Sequence, residues 1–465
     1  MAGKRGRVVT KTKVDRMVST LREEIRTGIR KDGDYLPPEL DLCDIYGISK
    51  NTVRKGLELL VQEGWIEKVP RIGAKVIGPK QTAAVVLKLG MYSSLIQEAS
   101  LLKLIGLFER KYPNISVQPV PIQVSRDREY MKSRFMAEQM DVVTLNVFDF
   151  DSMAATGGDD DCFLTPLHVQ SDTYAFLTKL FGRNGALYAQ PFSFTPVVLC
   201  YNRNHFREAH VSEPDSSWTW DELRNAGRRL SKTGERYGFY FHIPYENRWP
   251  LFLLQHGVDI QRGADGAYSL QDVKLDESLE LMMELIGDRE LFPAFMSEND
   301  RDVQSLFMHG RVSMIITTYD SLNAFREAPF EYDIAPVPYS RQAKTLLNCT
   351  ALGVPRTSRQ QAAARLFVEF LASYEAQLAL RQQTLSIPAL KEAAEWKGDA
   401  PDEAAALNRP SRFALFREII PTFHTYRALG LSYGQLMMMR DELKMYWSGF
   451  DPLDVVLGRI EQKLL

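Results

Sequence analysis

Apolar and polar positions in residues 48–76 follow two successive periods along the chain. From Val53 to Val61 an apolar residue returns every third or fourth position, which is the spacing of one helix face. Ser49 stands where an N-cap is expected, and Gly64 stands where the helix should end. Two short strand-like runs then enclose a basic turn, at residues 65–69 and 74–77. The pattern predicts a short helix followed by a β-hairpin.

The polar face of this predicted helix is rich in cationic and amide side chains. It carries Lys50, Asn51, Thr52, Arg54 and Lys55. A helix fits the major groove of DNA, where such side chains reach base edges, and a basic hairpin can lie on the phosphate backbone. The stretch therefore predicts an element that reads DNA. The plainer alternative is a solvated, charged helix in an ordinary α/β protein.

Together with the preceding segment LPPELDLCDIYG, this stretch resembles the winged helix-turn-helix of the GntR family of bacterial regulators. The resemblance covers residues 14–77 and implies contacts with operator bases and phosphates. The implied contact residues are Ser49, Lys50, Asn51, Thr52 and Arg54 in the helix, with Arg71 and Lys75 in the wing. Pro38-Glu39-Leu40 stands where the family usually has Ser-Glu-Arg, and the wing lacks the family's first glycine. The operator sequence therefore stays open.

Strand-like and helix-like segments alternate after a short polar linker at Gly78–Thr82, which favours an α/β architecture. The predicted strands are Ala84–Leu89, Ile115–Ile122, the run DVVTLNVF (141–148), two runs within 185–206, and Val312–Thr317. The predicted helices are Leu95–Lys111, Tyr130–Gln139 and the capped segment SWTWDELRNAGRRL, with Ala-, Leu- and Met-rich helices near residue 465.

Six motifs occur in this part in a fixed order: YPNISV, DVVTLN, LYAQPFSFTPVVLCYN, SWTWDEL, ENRWPLFLLQHG and GRVSMIITTYD. In this order they resemble a family 1 solute-binding protein of sugar ABC transporters, from Ala84 onward. The resemblance implies two α/β lobes joined by crossing strands, with the ligand between the lobes. We therefore expect a multidomain chain: a winged helix-turn-helix (α+β) at residues 1–79, and a two-lobe periplasmic-binding-protein-like domain (α/β) at residues 80–465.

The resemblance also places particular side chains at the cleft. Ligands of open α/β sheets collect at the carboxyl ends of strands, and sugars need flat apolar faces with a few polar groups. The candidate ligand-binding residues are Tyr92, Asn146, Asp149, Phe194, Glu246, Asn247, Arg248, Trp249, Tyr319 and Asp320, with Ser93 and Phe192 beside them. For each aromatic residue, ordinary core packing is the alternative interpretation.

Charge and cysteine content indicate what the chain binds and in which cellular compartment it acts. Residues 1–80 hold 17 Lys and Arg against 11 Asp and Glu, a net charge of +6 inside a chain whose total is −2. A basic module on an acidic body fits nucleic acid at one end only. The first residues lack the apolar run of a signal peptide, no segment has the apolar length of a membrane span, and the four cysteines are scattered. We expect a cytoplasmic protein without membrane contact.

Motifs of catalysis and of metal binding are not found in the sequence. The seven histidines form no HExxH pattern, and neither a GxSxG elbow nor a P-loop is present. A glycosidase pair among 59 acidic residues stays open, but no motif singles one out. The sequence thus predicts no enzyme, no cofactor and no metal.

Two alternatives have a different ligand or role. One is a GntR-type regulator fused to an aminotransferase-like domain that binds pyridoxal phosphate; the spacing of Ser100 and Lys103 suits it, but both lie in an amphipathic segment. The other is a transport-type sugar-binding protein, which the basic N-terminal module disfavours.

The favoured interpretation is a bacterial, cytoplasmic and sugar-responsive transcription regulator. The resemblance to GntR-type modules implies a symmetric dimer. We therefore expect a homodimer on operator DNA, with a mono- or oligosaccharide as effector. The identity of the sugar, the operator and the sign of regulation stay open.

Overall fold

A computed structural model describes residues 14, 17–18, 20–22, 24–25, 30–31, 33–62, 64–70, 72–77, 85–122, 139–154, 163–168, 172–263, 268–294, 297–398 and 407–464. These residues divide into two compact units. The first extends to Val86 and includes Pro113–Ser116, and the second holds the remainder.

The first unit is a small helical domain with a two-stranded sheet. Its helices α1 (Glu39–Tyr46) and α2 (Lys50–Gln62) are followed by the antiparallel strands β1 (Ile66–Val69) and β2 (Gly73–Val76). Gly47, in the left-handed conformation, ends α1 and turns the chain into α2. The predicted apolar face of α2 is buried: Val53 and Leu60 are fully buried, and Leu57 nearly so. The prediction of a helix followed by a hairpin is confirmed.

Gly56 in α2 is required because the helical residues Met17 and Val18 lie very close to its backbone. A Cβ atom added at Gly56 would lie 2.2 Å from the Met17 methyl carbon and 3.3 Å from a Val18 methyl carbon. Met17 and Val18 are helical, buried and part of the same apolar cluster as Val53. The first helical segment therefore packs directly on the backbone of α2, and this contact fixes which face of α2 remains exposed.

A ten-stranded sheet organises the second unit. Its strand bounds are β3 Val85–Tyr92, β4 Ile115–Ile122, β5 Val142–Leu145, β8 Ala189–Asn202, β9 Tyr237–Tyr240, β10 Val312–Thr318, β11 Tyr332–Ala335, β12 Thr345–Gly353, β13 Ile387–Pro388 and β14 Phe423–His424. The strands run in the order β4-β3-β5-β12-β8-β10-β9, with β11 and β13 paired to β8 and β14 paired to β12. Strands β6 (Gly182–Arg183) and β7 (Ala186–Leu187) form a separate hairpin.

Strand β8 joins the two lobes. All 14 of its residues are buried. Residues 189–196 pair with β12, which also pairs with β5, whereas residues 197–202 pair with β10 and β11. One continuous, buried strand therefore serves both lobes, and the expected crossing between them is confirmed.

Helices cover the sheet on both lobes. The helices that occur between β3 and β9 in the chain are α3 Leu95–Glu98, α4 Leu101–Lys111, α5 Val147–Ala154, α6 Ala175–Thr178, α7 Arg203–Glu208 and α8 Trp220–Leu230. The later helices are α9 Trp249–His256, α10 Val273–Gly287, α11 Asp300–Met308, α12 Gln361–Leu371, α13 Tyr374–Gln383, α14 Lys391–Ala394, α15 Leu415–Glu418, α16 Tyr433–Trp447 and α17 Leu453–Leu464. Short 3₁₀ turns lie at Asp320–Phe325, Ile420–Thr422 and Tyr426–Leu429.

Two sequence predictions of element bounds need correction, and a third is not tested. The helix predicted over 95–111 is two helices, because Ser100 adopts a positive φ of 48° that a continuous helix does not allow. The strand predicted over 141–148 ends at Leu145, and Val147 already begins α5. The helix predicted over Tyr130–Gln139 lies outside the described residues, apart from Gln139 in a turn. By contrast, Thr219 caps α8 through a reciprocal pair with Glu222, as the acidic first turn predicted.

Candidate functional site

The solvent-facing side of α2 presents the residues that the sequence assigned to DNA. Ser49, Lys50, Asn51 and Arg54 are exposed, and Thr52 is half-buried. The hydroxyls of Ser49 and Thr52 share a hydrogen bond of 2.7 Å, which holds the start of the helix. Lys55 is exposed on the same helix. The exposed cations and amide thus lie together, although direct DNA contact by each one stays a prediction.

An ion pair that the sequence analysis did not anticipate holds the candidate Arg54. Its Nε donates to both carboxylate oxygens of Glu39 in α1, at 2.9 and 3.1 Å. The ammonium of Lys50 lies 3.9 Å from the same carboxylate. Because Arg54 is about half exposed, such a pair contributes little to stability and can be exchanged for a phosphate. Glu39 therefore competes with DNA for two cations on the exposed face of α2.

The wing is represented here by Lys75. Its ammonium lies 3.8 Å from a carboxylate oxygen of Glu67 on the facing strand, and its backbone bridges to Tyr35. Ile72 at the tip is exposed. Arg71 lies outside the described residues, so its assignment to the wing stays a prediction.

In the second unit, the ends of β3 and β5 meet in one hydrogen-bonded cluster. The Tyr92 hydroxyl donates to the carboxylate of Asp149. The backbone N–H of Asn146 lies 2.9 Å from that hydroxyl oxygen, and the N–H of Asp149 donates to Asn146 Oδ1 at 2.9 Å. Three candidates from two strand ends are thus brought together, as parallel neighbours in a sheet require.

A carboxylate from the other lobe faces this cluster. Burial raises the pKa of Asp149 to about 7, and repulsion by Glu246, in the segment after β9, contributes to the same rise. Glu246 is therefore close enough to Asp149 to affect its charge. The two lobes oppose each other here through acidic side chains, which can accept hydrogen bonds from several hydroxyl groups of a ligand.

A second pair of acidic residues, Glu98 and Asp320, lies near these groups: Glu246 and Glu98 both raise the pKa of Tyr245. We call this set the strand-end cluster: Tyr92, Glu98, Asn146, Asp149, Glu246 and Asp320. Asp320 follows β10, and its Oδ1 is buried without a hydrogen-bond partner among the described residues. Burial raises the pKa of Asp320 well above its ordinary value, and Glu98 adds repulsion. Burial likewise raises the pKa of Glu98 at the end of α3. The Ser386 hydroxyl, which interacts with Asp320, donates to the Glu98 backbone carbonyl at 2.7 Å.

Sequence reasoning missed Glu98 and Ser386. Glu98 could have been noticed, because it follows β3 shortly after Tyr92 and Ser93. Ser386 gives no such signal, since it precedes a two-residue strand far along the chain and reaches the cluster only through the fold.

Arg248 is paired through its two terminal nitrogens, while its buried Nε has no hydrogen-bond partner among the described residues. Its side chain is fully buried and donates to Asn247 Oδ1 and, at 3.2 Å, to both carboxylate oxygens of Asp300. Its guanidinium also lies 5.3 Å from the centroid of the Tyr245 ring. The positive charge of Arg248 is therefore paired with the carboxylate of Asp300. The sequence had left open whether Arg248 recognises an anionic sugar, and the geometry gives that possibility no support.

Three aromatic candidates lie in the core. Trp249 has no exposed surface and packs against Trp447 at 5.9 Å between ring centroids. The Tyr319 hydroxyl donates to the Phe413 carbonyl and accepts from the Phe416 N–H, at 3.0 and 2.8 Å. Phe194 is enclosed by aromatic rings, and Phe192 is buried too. Their contact with a ligand stays a prediction, and the packing alternative describes their present surroundings.

Across the described residues, no group of three or more His, Cys, Asp or Glu side chains is arranged to hold a metal ion. Within the same residues, no helix combines the length and the apolar character that a membrane crossing needs.

Comparisons with known proteins agree with this architecture. The model of the bacterial extracellular solute-binding proteins matches residues 103–408, and that of the bacterial regulatory proteins of the gntR family matches residues 13–76. A protein of Brucella abortus (strain 2308), named as a binding protein, is 29% identical over 161 residues. That match covers 33% of this chain and only 38% of the relative. The sn-glycerol-3-phosphate-binding periplasmic protein UgpB of Escherichia coli (strain K12) is 23% identical over 307 residues, covering 60% of this chain and 68% of that protein.

Solved structures share the fold of the second unit. Maltose-bound MalE3 of T. maritima superposes with a TM-score of 0.69 at 18% identity, covering 82% of this chain and 99% of that one. The ABC substrate-binding protein Lmo0181 of Listeria monocytogenes, in complex with cycloalternan, gives 0.67 at 20% identity, covering 82% and 98%. This fold replaces the aminotransferase-like alternative. The chain belongs to the family of bacterial extracellular solute-binding proteins, and it carries a winged helix of the GntR family of regulators at its N-terminal end.

Proposed function

We propose that this chain is a cytoplasmic, homodimeric transcription regulator whose operator affinity depends on a saccharide. In this proposal residues 1–79 bind operator DNA, and residues 80–465 hold the saccharide between their two lobes. The observation that carries it is the strand-end cluster, in which acidic and amide groups from both lobes face one another, in a chain that also carries a winged helix of the GntR family.

The chemistry of the cluster suits a ligand with many hydroxyl groups. The carboxyl groups of Asp149, Glu246 and Asp320 can each accept hydrogen bonds, and those that keep a proton can also donate one; Asn146 can donate as well as accept. The unpartnered Oδ1 of Asp320 supports the proposal, because a buried acceptor without a donor costs free energy that a ligand hydroxyl would recover. The structural neighbours are named as complexes with maltose and cycloalternan, which are saccharides. Binding rather than catalysis is proposed, since both families are families of binding proteins.

The DNA-binding half of the proposal rests on the exposed face of α2. Ser49, Lys50, Asn51, Thr52 and Arg54 would enter the major groove, with Lys75 and Arg71 in the wing on the backbone. In a symmetric dimer the two helices would read half-sites about one helical turn apart. A transport-type role is the alternative, and it gives this face no purpose.

A saccharide can couple the two domains only if it binds two conformations of the lobes unequally. In a closed form it contacts groups of both lobes, whereas in an open form it contacts one. The linker of Gly78–Thr82 is short and contains Pro79, so a rotation of the lobes would be passed to the winged helix rather than absorbed.

A thermal-shift screen of the full chain against a carbohydrate library tests the ligand half of this proposal. A saccharide at 100 times its dissociation constant should add about 2.7 kcal/mol to the stability of the domain it binds. Asp320→Asn together with Glu246→Gln should remove the response, while Glu277→Gln, a surface change outside the cluster, should preserve it. A response that survives the first pair of changes would place the saccharide elsewhere.

A further inference from the structure

Two carboxyl groups of the strand-end cluster, one from each lobe, are neighbours. Glu98 ends α3, which follows β3 of the first lobe, and Asp320 begins the 3₁₀ turn after β10 of the second. Burial is the main cause of the raised pKa of Asp320, and the charge of Glu98 raises this pKa further. The Ser386 hydroxyl interacts with the Asp320 carboxyl group and donates to the Glu98 carbonyl at 2.7 Å. The two carboxyl groups therefore repel each other when both are ionised.

The backbone that carries the Asp320 carboxyl group is held by hydrogen bonds. Its N–H donates to the Thr195 hydroxyl at 3.1 Å, and its carbonyl accepts from Asn323 Nδ2 at 2.9 Å. The same amide nitrogen of Asn323 donates to the Ser386 hydroxyl at 3.2 Å. Asp320 Oδ1 is nevertheless buried without a hydrogen-bond partner among the described residues. Because a buried acceptor without a donor costs free energy, this oxygen favours a ligand that donates to it.

The negative charge here has little compensation within the described part of the chain. Burial raises the pKa of Glu98, and the positive charge that opposes this rise belongs to the exposed Arg301, whose effect is smaller. For Asp149 and Asp320 the opposing contributions are hydrogen bonds rather than a positive charge. The ionised forms of these carboxyl groups are thus costly, and a bound cation would lower that cost.

An ammonium group suits this arrangement better than a hydroxyl group. It has three donors, no acceptor and a positive charge, whereas a hydroxyl has one donor and no charge. Hydrogen bonds between an ammonium and a carboxylate are also roughly twice as strong as those between neutral groups. A positive charge beside Glu98 and Asp320 would offset their mutual repulsion and lower both pKa values. A phosphate group would instead add negative charge to this repulsion.

We propose that the saccharide held between the lobes is an amino sugar, whose ammonium group binds Glu98 and Asp320. This inference rests on the proposed function and names the ligand class of the same site. Hydroxyl groups of the sugar would bind Asn146 and Asp149, which follow β5 in the first lobe. The acidic pair from the two lobes therefore selects a cationic sugar, and it contacts that sugar from both sides only when the lobes are closed.

The test compares matched saccharides on the full chain by titration calorimetry at pH 7. Glucosamine, galactosamine and the deacetylated chitin dimer are each compared with the hydroxyl counterpart, which is glucose, galactose or cellobiose. Each is also compared with its N-acetyl form, which keeps the ring and the nitrogen but lacks the charge. At least one amino sugar should bind about tenfold or more tightly than both of its uncharged counterparts.

Two variants remove the charge and keep the shape of the side chains. Asp320→Asn and Glu98→Gln should each weaken binding of the amino sugar about tenfold and change binding of the uncharged counterparts much less. Glu277→Gln, a surface change outside the strand-end cluster, serves as the control and should preserve the preference for the amino sugar.

Three results would overturn the inference. An uncharged saccharide that binds as tightly as its amino counterpart would exclude an amino sugar but leave the saccharide site intact. A preference for the amino sugar that persists in both variants would mean that the ammonium group binds elsewhere. If no saccharide of either kind binds, in this set or in the carbohydrate library, the saccharide site and this inference are both wrong.

Discussion

Replacing Asp149 by asparagine tests whether the strand-end cluster holds a carboxyl group with a displaced pKa. The asparagine side chain would keep the size of the original and an oxygen for the Tyr92 hydroxyl, but it cannot ionise. Asp149 is 4% exposed, and burial, the largest cause, raises its pKa to about 7. The variant therefore isolates the free energy that the ionised form costs.

The magnitude follows from proton linkage. The ordinary pKa of the Asp carboxyl is 3.8, so between about pH 4 and pH 7 the folded chain keeps a proton that the unfolded chain releases. The free energy of unfolding consequently falls as the pH rises through this range and levels off above it. The difference between the ordinary and the raised pKa corresponds to a loss of about 4 kcal/mol in the free energy of unfolding. About 2 kcal/mol of this loss occurs between pH 5.5 and 8.5.

The assay is thermal unfolding of wild type and Asp149→Asn at a series of pH values, followed by tryptophan fluorescence. Using an unfolding entropy of about 2.1 cal/mol/K per residue, 2 kcal/mol corresponds to a shift of about 2.5 °C for the second unit. The variant should therefore gain about 2.5 °C relative to the wild type between pH 5.5 and 8.5. Other titrating groups contribute equally to both proteins and cancel in the difference.

A difference between the two proteins that does not change with pH would refute this reasoning. It would mean that Asp149 titrates at its ordinary pKa, and that the cluster is open to water rather than closed by Glu246 and its own lobe. Asp276→Asn, at a carboxyl far less buried than Asp149, serves as the control for a nonspecific charge effect.

Three further predictions address the other parts of the account. Arg54→Ala should weaken operator binding by about 1–3 kcal/mol in a gel shift, whereas Glu39→Gln, which frees Arg54, should leave it unchanged or tighten it; equal affinity of Arg54→Ala and wild type would remove Arg54 from the DNA contacts. Trp249→Ala should lower the free energy of unfolding by about 3–5 kcal/mol in urea, because it empties core volume beside Trp447; an unchanged midpoint would contradict that packing. Inserting Gly-Ser units into the linker 78–82 should preserve both binding events but reduce their coupling, and full coupling in the longer chain would exclude a rigid linker.

Local patterns in the sequence predicted most of the secondary structure of the first unit. The apolar period of α2 and the glycines at 47 and 64 act within a few residues, so they specify the helices and their ends directly. The ion pair of Glu39 with Arg54 spans 15 residues and depends on how α1 packs on α2. No pattern within either helix predicts this ion pair.

The site in the second unit was only partly predictable, for the same physical reason. Strand ends in one sheet gather at one edge, so Tyr92, Asn146 and Asp149 could be placed together from the order of elements. Trp249 and Tyr319 were ambiguous, because a ring that packs in a core and a ring that stacks on a sugar follow strands in the same way. Ser386 joins the cluster through a distant pairing of β13 with β8, which sequence spacing does not reveal.

The measurement that tests the central claim most directly is a titration of operator DNA, by fluorescence anisotropy, with and without the saccharide identified in the thermal-shift screen. Coupling of about 1–3 kcal/mol predicts a change of roughly 5- to 150-fold in DNA affinity, and operator DNA must change saccharide affinity by the same factor. The same operator affinity at saturating saccharide as in its absence would contradict the claim that the solute-binding domain controls the winged helix.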